Sequence, residues 1–246
     1  MEAGFAGDVG LDVQVMAAGA VGDSVALPAP TLEQVLARGA VLTAVAYRGW
    51  SEARDRALPE RQETRLRLLR WLDHLGLMGQ AEHHELVFLV GDVGAVSYQE
   101  AMGAAWRVEG AAVMAWAARL MEMPAYHELA QLPPLMELMD DAPHGRVEAG
   151  PVRSEEDVVQ LMHTSIGVLE VMDRLGGLSG AEWLHPSASL EFERRGLPLH
   201  RQQLAEGNLI SRTAFERAKA TRWLMGLSSK YGATPVPLKE SGRQLV

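Results

Sequence analysis

Cysteine is absent from all 246 residues. Disulfides, thiolate nucleophiles, iron–sulfur clusters and cysteine-based zinc sites are therefore excluded, and a reducing cytoplasm is the expected compartment. Lysine is nearly absent too, occurring only at Lys219, Lys230 and Lys239, so arginine supplies almost all the cationic charge. The chain lacks any apolar run long enough to span a bilayer without a charge, so no membrane span is expected. Glu2, Asp8 and Asp12 interrupt the opening stretch where a secretory signal would need an unbroken apolar run, so export is not expected either. A cationic excess is also missing. A formal charge of −9 and a pI near 5.4 argue against general nucleic-acid binding, which needs a basic surface to displace counterions from phosphates. The same balance suits a basic protein partner, and it is equally the ordinary acidity that keeps bacterial proteins from sticking to one another. No fixed-period repeat or heptad pattern is visible.

What the chain does have is helical periodicity. Residues 1–30 hold four acidic residues and no basic ones, with short apolar runs bracketed by glycine and Pro28 to Pro30, which reads as a short β-hairpin or an extended arm. Thr31 and Gln34 have the spacing of a capping box, and Leu32, Val35, Leu36 and Leu42 follow at helical spacing until Gly49 interrupts them. A second helix is expected from Pro59 to Gly76, and a shorter segment over Gln80 to Val90. Ser97 and Glu100 form another capping box. The alanine-rich run after them, up to Pro124, reads as one central helix wrapped by its neighbours, with Met102, Trp106, Gly110, Val113, Ala117 and Leu120 on one stripe. Residues 124–151 are proline-rich and read as a long connection with a turn at Leu135 to Met139, the best internal boundary. Ser154 starts a further helix that Gly176 and Gly177 close, irregular chain runs to Gly207, and a last helix spans Arg212 to Met225. The expected fold is mainly α, an irregular multi-helix bundle around a central buried helix. Its parts are an arm at 1–30, a single helical domain at 31–226 and an extended tail at 227–246.

Candidate chemistry is sparse. His83 and His84 are adjacent, so on a helix they point about 100° apart and cannot both hold one ion, and His74 lies nine residues before His83. His163, within an apolar helix, reads as a hydrogen-bonded core residue ahead of a general base. Glu109 lies beside the apolar stripe three residues after Trp106, where an ionised carboxylate needs a partner that Arg107 cannot supply from the same helix. Arg222, next to Trp223, or Arg174 could supply it, and such a pair registers helices more often than it catalyses. The run Arg54, Arg56, Arg61, Arg65, Arg67 and Arg70 is mixed with Asp55, Glu60 and Glu63, so it reads as a solvated helix face before a phosphate groove. GDVG at Gly91 to Gly94 reads as a turn. No nucleophile elbow, triad order or P-loop can be assembled, and neither a metal nor a cofactor is expected.

AAWRVEGAAVMAWAARLMEMP resembles the signature of the bacterial domain-of-unknown-function 4272 family, a tryptophan-arginine-x-glutamate stretch leading to a second tryptophan, here Trp116, and a proline. RLRLLRWLDHLGLMGQAEHHELVFL, VRSEEDVVQLMHTSIGVLEVMDRL and FERAKATRWLMG are similar to its other blocks, so the likeness runs from about Thr31 to Gly226. Gly103, Ala104 and Ala105 stand where the family tends to have a polar residue before a small one, and Thr221 and Arg222 where it often has asparagine. The resemblance implies a helical, cytosolic bacterial protein and no particular activity.

Three function classes follow as expectations. The first is a non-enzymatic interaction module, specifically an immunity protein that covers the basic site of an antibacterial toxin. The second is an enzyme or small-ligand binder whose pocket gathers Trp106, Arg107, Glu109 and Trp223, with Trp116 and Arg222 beside it. A structural subunit of a larger assembly is a third.

Overall fold

Thr31 opens the first helix as its spacing predicts: its hydroxyl accepts from the Gln34 amide at 3.3 Å while the Gln34 side chain accepts from the Thr31 amide at 2.8 Å. The computed structural model describes residues 27–54, 57–176, 199–232 and 236. Within them the chain is a multi-helix bundle: α1 Leu32–Ala53, α2 Leu58–His74, α3 His83–Val90, α4 Tyr98–Ala105, α5 Arg107–Ala117, α6 Leu132–Asp141, α7 Glu155–Gly176 and α8 Leu199–Leu224. The expected N-terminal hairpin falls on residues that, up to 26, lie outside the described ones.

α1 and α5 form the axis. All residues of α5 from Val108 to Ala117 are buried, as is most of α1 between Val35 and Ser51. Gly49 does not end α1. It lies against α4, where a Cβ would come within 2.5 Å of the Ala101 carbonyl and the Ala105 amide, so the missing side chain is what lets the two backbones touch. Gly49→Ala is accordingly expected to push α4 off α1 and cost about 1–3 kcal/mol in urea unfolding; an unchanged midpoint would show that the contact is dispensable.

The single central helix expected from Ser97 to Pro124 is two. Its capping box forms, with the Glu100 amide donating to Ser97 Oγ at 3.2 Å, but the helix breaks at Trp106 between α4 and α5. Of α4, only Ala101 is buried. α5 then stops at Ala117, ahead of Pro124. Arg119 adopts the left-handed conformation (φ 60°), the Arg119 and Leu120 amides donate back to Trp116 and Ala115, and the amides of Gly150 and Arg153 satisfy the Ala118 and Ala117 carbonyls.

Residues 124–151 are not merely a connection. They contain α6, whose Leu135 and Met139 are buried and which packs on α1 and α5, so no boundary falls there. Its prolines sit in the first turn, where missing amides cost nothing, and therefore start the helix. α7 starts at the Ser154 cap and packs along α8. α8 begins at Leu199, well before the expected Arg212, and Gly226 (φ 68°) ends it as predicted. The chain after it is no loose tail up to residue 232, because Tyr231 is fully buried against Gly110 of α5. No described helix is long and apolar enough to cross a membrane.

Candidate functional site

The polar groups that sequence patterning singles out lie where α8 crosses α5. Arg107 donates to both Glu216 oxygens, at 3.1 and 2.9 Å. Glu109, with no exposed surface, accepts from Arg217 Nε at 2.9 Å and from the Ala130 amide at 2.8 Å. The predicted need for a partner on another segment is thus met, but by Arg217 and by neither residue proposed for it. Arg222 lies five positions later on α8, about 140° around the helix from Arg217, so only one of the two can face α5. Arg222 is half-buried, its Nε lacks a hydrogen-bond partner among the described residues, and burial lowers its pKa. Arg174 belongs to the residues whose side chains are not described.

Around Tyr231 a second set of charges converges, of which sequence patterning singled out only Arg107. The Arg38, Arg107 and Lys219 cations stand 6.0, 5.5 and 5.1 Å from its ring centre. Carboxylates balance them. Arg38 donates to both Glu85 oxygens at 2.8 Å, Glu216 accepts from Arg107 and from the Tyr231 hydroxyl at 3.3 Å, and Glu82 accepts from the Gly232 amide at 3.0 Å. Burial, reinforced by the Glu216 carboxylate, pushes the Tyr231 hydroxyl well above the ordinary phenol range, so it stays protonated and can donate. Burial alone would lower the pKa of Arg107, but Glu216 and the rest of the cluster outweigh it and raise it.

Lys219 is the exception. Burial and the neighbouring Arg107 lower its pKa below the ordinary 10.5, against the opposing pull of Glu216, Glu82 and Glu85. The folded state therefore binds fewer protons than the unfolded state as pH approaches that value. The penalty is fully present at neutral pH and disappears as pH rises through the folded and then the unfolded pKa. Lys219→Met is expected to raise the urea midpoint at neutral pH, with the gain shrinking in alkaline buffer; a loss at neutral pH would mean that the cation–ring contact outweighs its desolvation.

A third network joins α1 to α2 and α3. Arg48 pairs with Glu52 at 2.8 Å and donates to the Leu89, Gly91 and Asp92 carbonyls, which closes the C-terminus of α3. Arg61 reaches Glu52, and Arg65 reaches the Val90 carbonyl. Part of the arginine run thus assembles helices. Arg67 and Arg70 remain exposed on α2, Arg54 covers the Trp50 ring at 3.8 Å, and Asp55 and Arg56 lie outside the described residues. GDVG is the expected turn, with the Gly94 amide bound to Glu52.

The pocket expected to gather Trp106, Arg107, Glu109 and Trp223 does not assemble. Trp106 lines a cavity of about 330 Å³ with Tyr47, Trp50, Met102 and the segment Leu129 to Pro133. Trp223 lines a different one, of about 580 Å³, with Leu27 to Thr31, Arg38, Glu82 and Ser228. Arg107 and Glu109 line neither, being committed to Glu216 and Arg217. Trp116 is buried in the core beneath Arg153, whose guanidinium lies 4.7 Å from its ring. His163 is exposed, contrary to the core placement, because that face of α7 turns to solvent. His83 and His84 are exposed, and the His74 ring stacks on His144 at 5.7 Å. Among the described residues no three side chains are arranged to hold a metal ion.

No family model matches the chain, and no curated protein or solved structure is significantly similar to it.

Its surface charge is unevenly placed. Residues 122–170 carry ten carboxylates against Arg146 and Arg153, a balance of −8 within a chain of net −9. Glu122, Glu137, Glu148, Glu155 and Glu156 among them are exposed. Arg153 reaches Glu122 at 3.3 Å, bringing it beside the start of α7, and Arg146 pairs with Asp140 and Asp141.

Proposed function

We propose that the chain is a non-enzymatic protein-interaction module that binds a basic partner through the acidic stretch around α6 and the start of α7. The observation that carries this reading is the excess of eight carboxylates over arginines in residues 122–170, with exposed carboxylates that outnumber the arginines available to neutralise them. Such a field speeds encounter with a cationic surface and selects against acidic ones. The commitment of Arg107, Glu109, Glu216 and Arg217 to one another supports the same reading, since none is left to act on a substrate. The resemblance to the bacterial domain-of-unknown-function 4272 family agrees with a bacterial setting. In that setting an immunity protein that covers the active surface of an antibacterial toxin is the form this module takes.

Co-expression with the toxins encoded beside its gene tests the reading. A stable complex and restored growth are expected with one of them. Replacing Glu148, Glu155 and Glu156 by lysine should slow association by about tenfold at low salt, with little change at high salt. Failure to form a complex with any neighbouring toxin, or an association rate indifferent to these replacements, would overturn the proposal.

A further inference from the structure

The cavity at Trp106 has the properties of a small-molecule site. Its walls come from α1 (Tyr47, Trp50), from the α4–α5 break (Met102, Trp106) and from the segment before α6 (Leu129 to Pro133). None of its lining residues is ionisable near neutral pH. An ionised ligand would lose hydration there without a counter-charge among the lining residues, the Arg54 guanidinium lying on the Trp50 ring outside the lining, whereas an uncharged ring would lie against indole and phenol faces. At about 330 Å³ it is near the small end of ligand cavities, which matches a bicyclic ring system.

Rigid supports hold the space open. Backbone contact at Gly49 fixes α1 against α4. On the opposite wall Glu109 grips the Ala130 amide at 2.8 Å, and Arg217 donates to the Pro124 carbonyl at 2.7 Å and the Ala125 carbonyl at 3.4 Å, pinning the chain that leads into Leu129 to Pro133. A preformed cavity spares a ligand the cost of ordering its walls. Polar groups are few. Gln131, at the N-cap of α6, makes no capping hydrogen bond with its side chain, so its amide joins the Tyr47 hydroxyl and the indole N–H groups of the tryptophans as hydrogen-bonding groups of the lining.

We infer that this cavity binds a small, uncharged aromatic molecule, stacked between Trp106 and the α1 aromatics. The buried Glu109 and Arg217 act as positioning residues for its wall and do not touch the ligand.

Titration calorimetry of the full chain with indole, and with indole-3-carboxylate as the ionised counterpart, tests the inference. Saturable one-to-one binding of indole is expected, with the carboxylate at least about tenfold weaker. Ala105→Phe, which fills the space, and Gln131→Trp, which covers its mouth from an exposed position, should each weaken indole by about tenfold or more while the circular dichroism of the fold is retained. Should Ala105→Phe fail to fold, Gln131→Trp alone decides. Non-saturating uptake of indole, equal affinity for the carboxylate, or binding indifferent to the folded variants would each overturn the inference. So would a cavity that accepts only a side chain of a protein partner, which would show as no indole binding.

Discussion

Tyr231→Ala is expected to lower stability by about 3–5 kcal/mol, the cost of emptying a fully buried aromatic site whose surroundings cannot collapse. Collapse is blocked because the walls are charged. Arg38, Arg107 and Lys219 face the ring, and bringing them together without it would set like charges against one another in a poorly solvated space. The ring and the next residue also tie the segment after α8 to four helices: α5 through the gap left at Gly110, α8 through Glu216, α1 through Arg38, and the start of α3 through the Gly232 amide on Glu82. Tyr231→Phe keeps the ring and loses only a long hydrogen bond to a carboxylate that Arg107 already engages through both oxygens, so it should cost about 1 kcal/mol. Gly110→Ala should approach the alanine variant in effect from the other side, since its methyl group would overlap the tyrosine hydroxyl. Urea unfolding of the three variants separates the terms. Equal small losses for Tyr231→Ala and Tyr231→Phe would show that the segment after α8 merely rests on the bundle.

The sequence carried the side-chain-capped helix starts well and the end of α5 poorly, for a physical reason. Starts at Thr31, Ser97 and Ser154 are written in local side chains that bond their own first turn. The end of α5 is written elsewhere. Its left-handed residue is Arg119 where glycine would have announced it, and its last carbonyls are satisfied by Gly150 and Arg153, far along the chain. Gly49 misled for the converse reason, since a glycine inside a helix can mark close approach of a neighbour as well as a stop. In α6, Pro133 and Pro134 looked like breaks and proved to be a beginning. The buried charges show the same division. That Glu109 needed a partner was legible from its place beside an apolar stripe, but the choice of Arg217 depends on the rotation of α8 against α5. Arg38 and Arg48 could have been found by that logic. They bracket the apolar stretch GAVLTAVAY in α1, and an arginine embedded so must find a carboxylate or carbonyls. Tyr231 gave no comparable signal, for its neighbours Ser228 to Lys230 and Gly232 read as any polar turn.

Removing either member of the Glu109–Arg217 pair should cost about 3–5 kcal/mol, because each leaves the other charged and shut away from water. The two losses should differ in kind. Glu109→Leu strands the guanidinium, which still reaches the Pro124 and Ala125 carbonyls and lies 4.7 Å from the Tyr126 ring, and it also leaves the Ala130 amide without an acceptor. Arg217→Met strands a carboxylate that keeps only that amide. Replacing both at once removes the charge problem and leaves an apolar contact of similar volume, so the double variant should lie well above the sum of the single losses. Urea unfolding of the four proteins gives the coupling energy directly. Additive losses would mean that the two groups are solvated independently and do not register α5 against α8. The same double variant bears on function. If these charges serve assembly, a refolded apolar pair should still bind its basic partner, since the carboxylates proposed for that contact lie on the surface from Glu122 to Glu156. A double variant that folds and yet fails to bind would transfer the function from that surface to the buried pair.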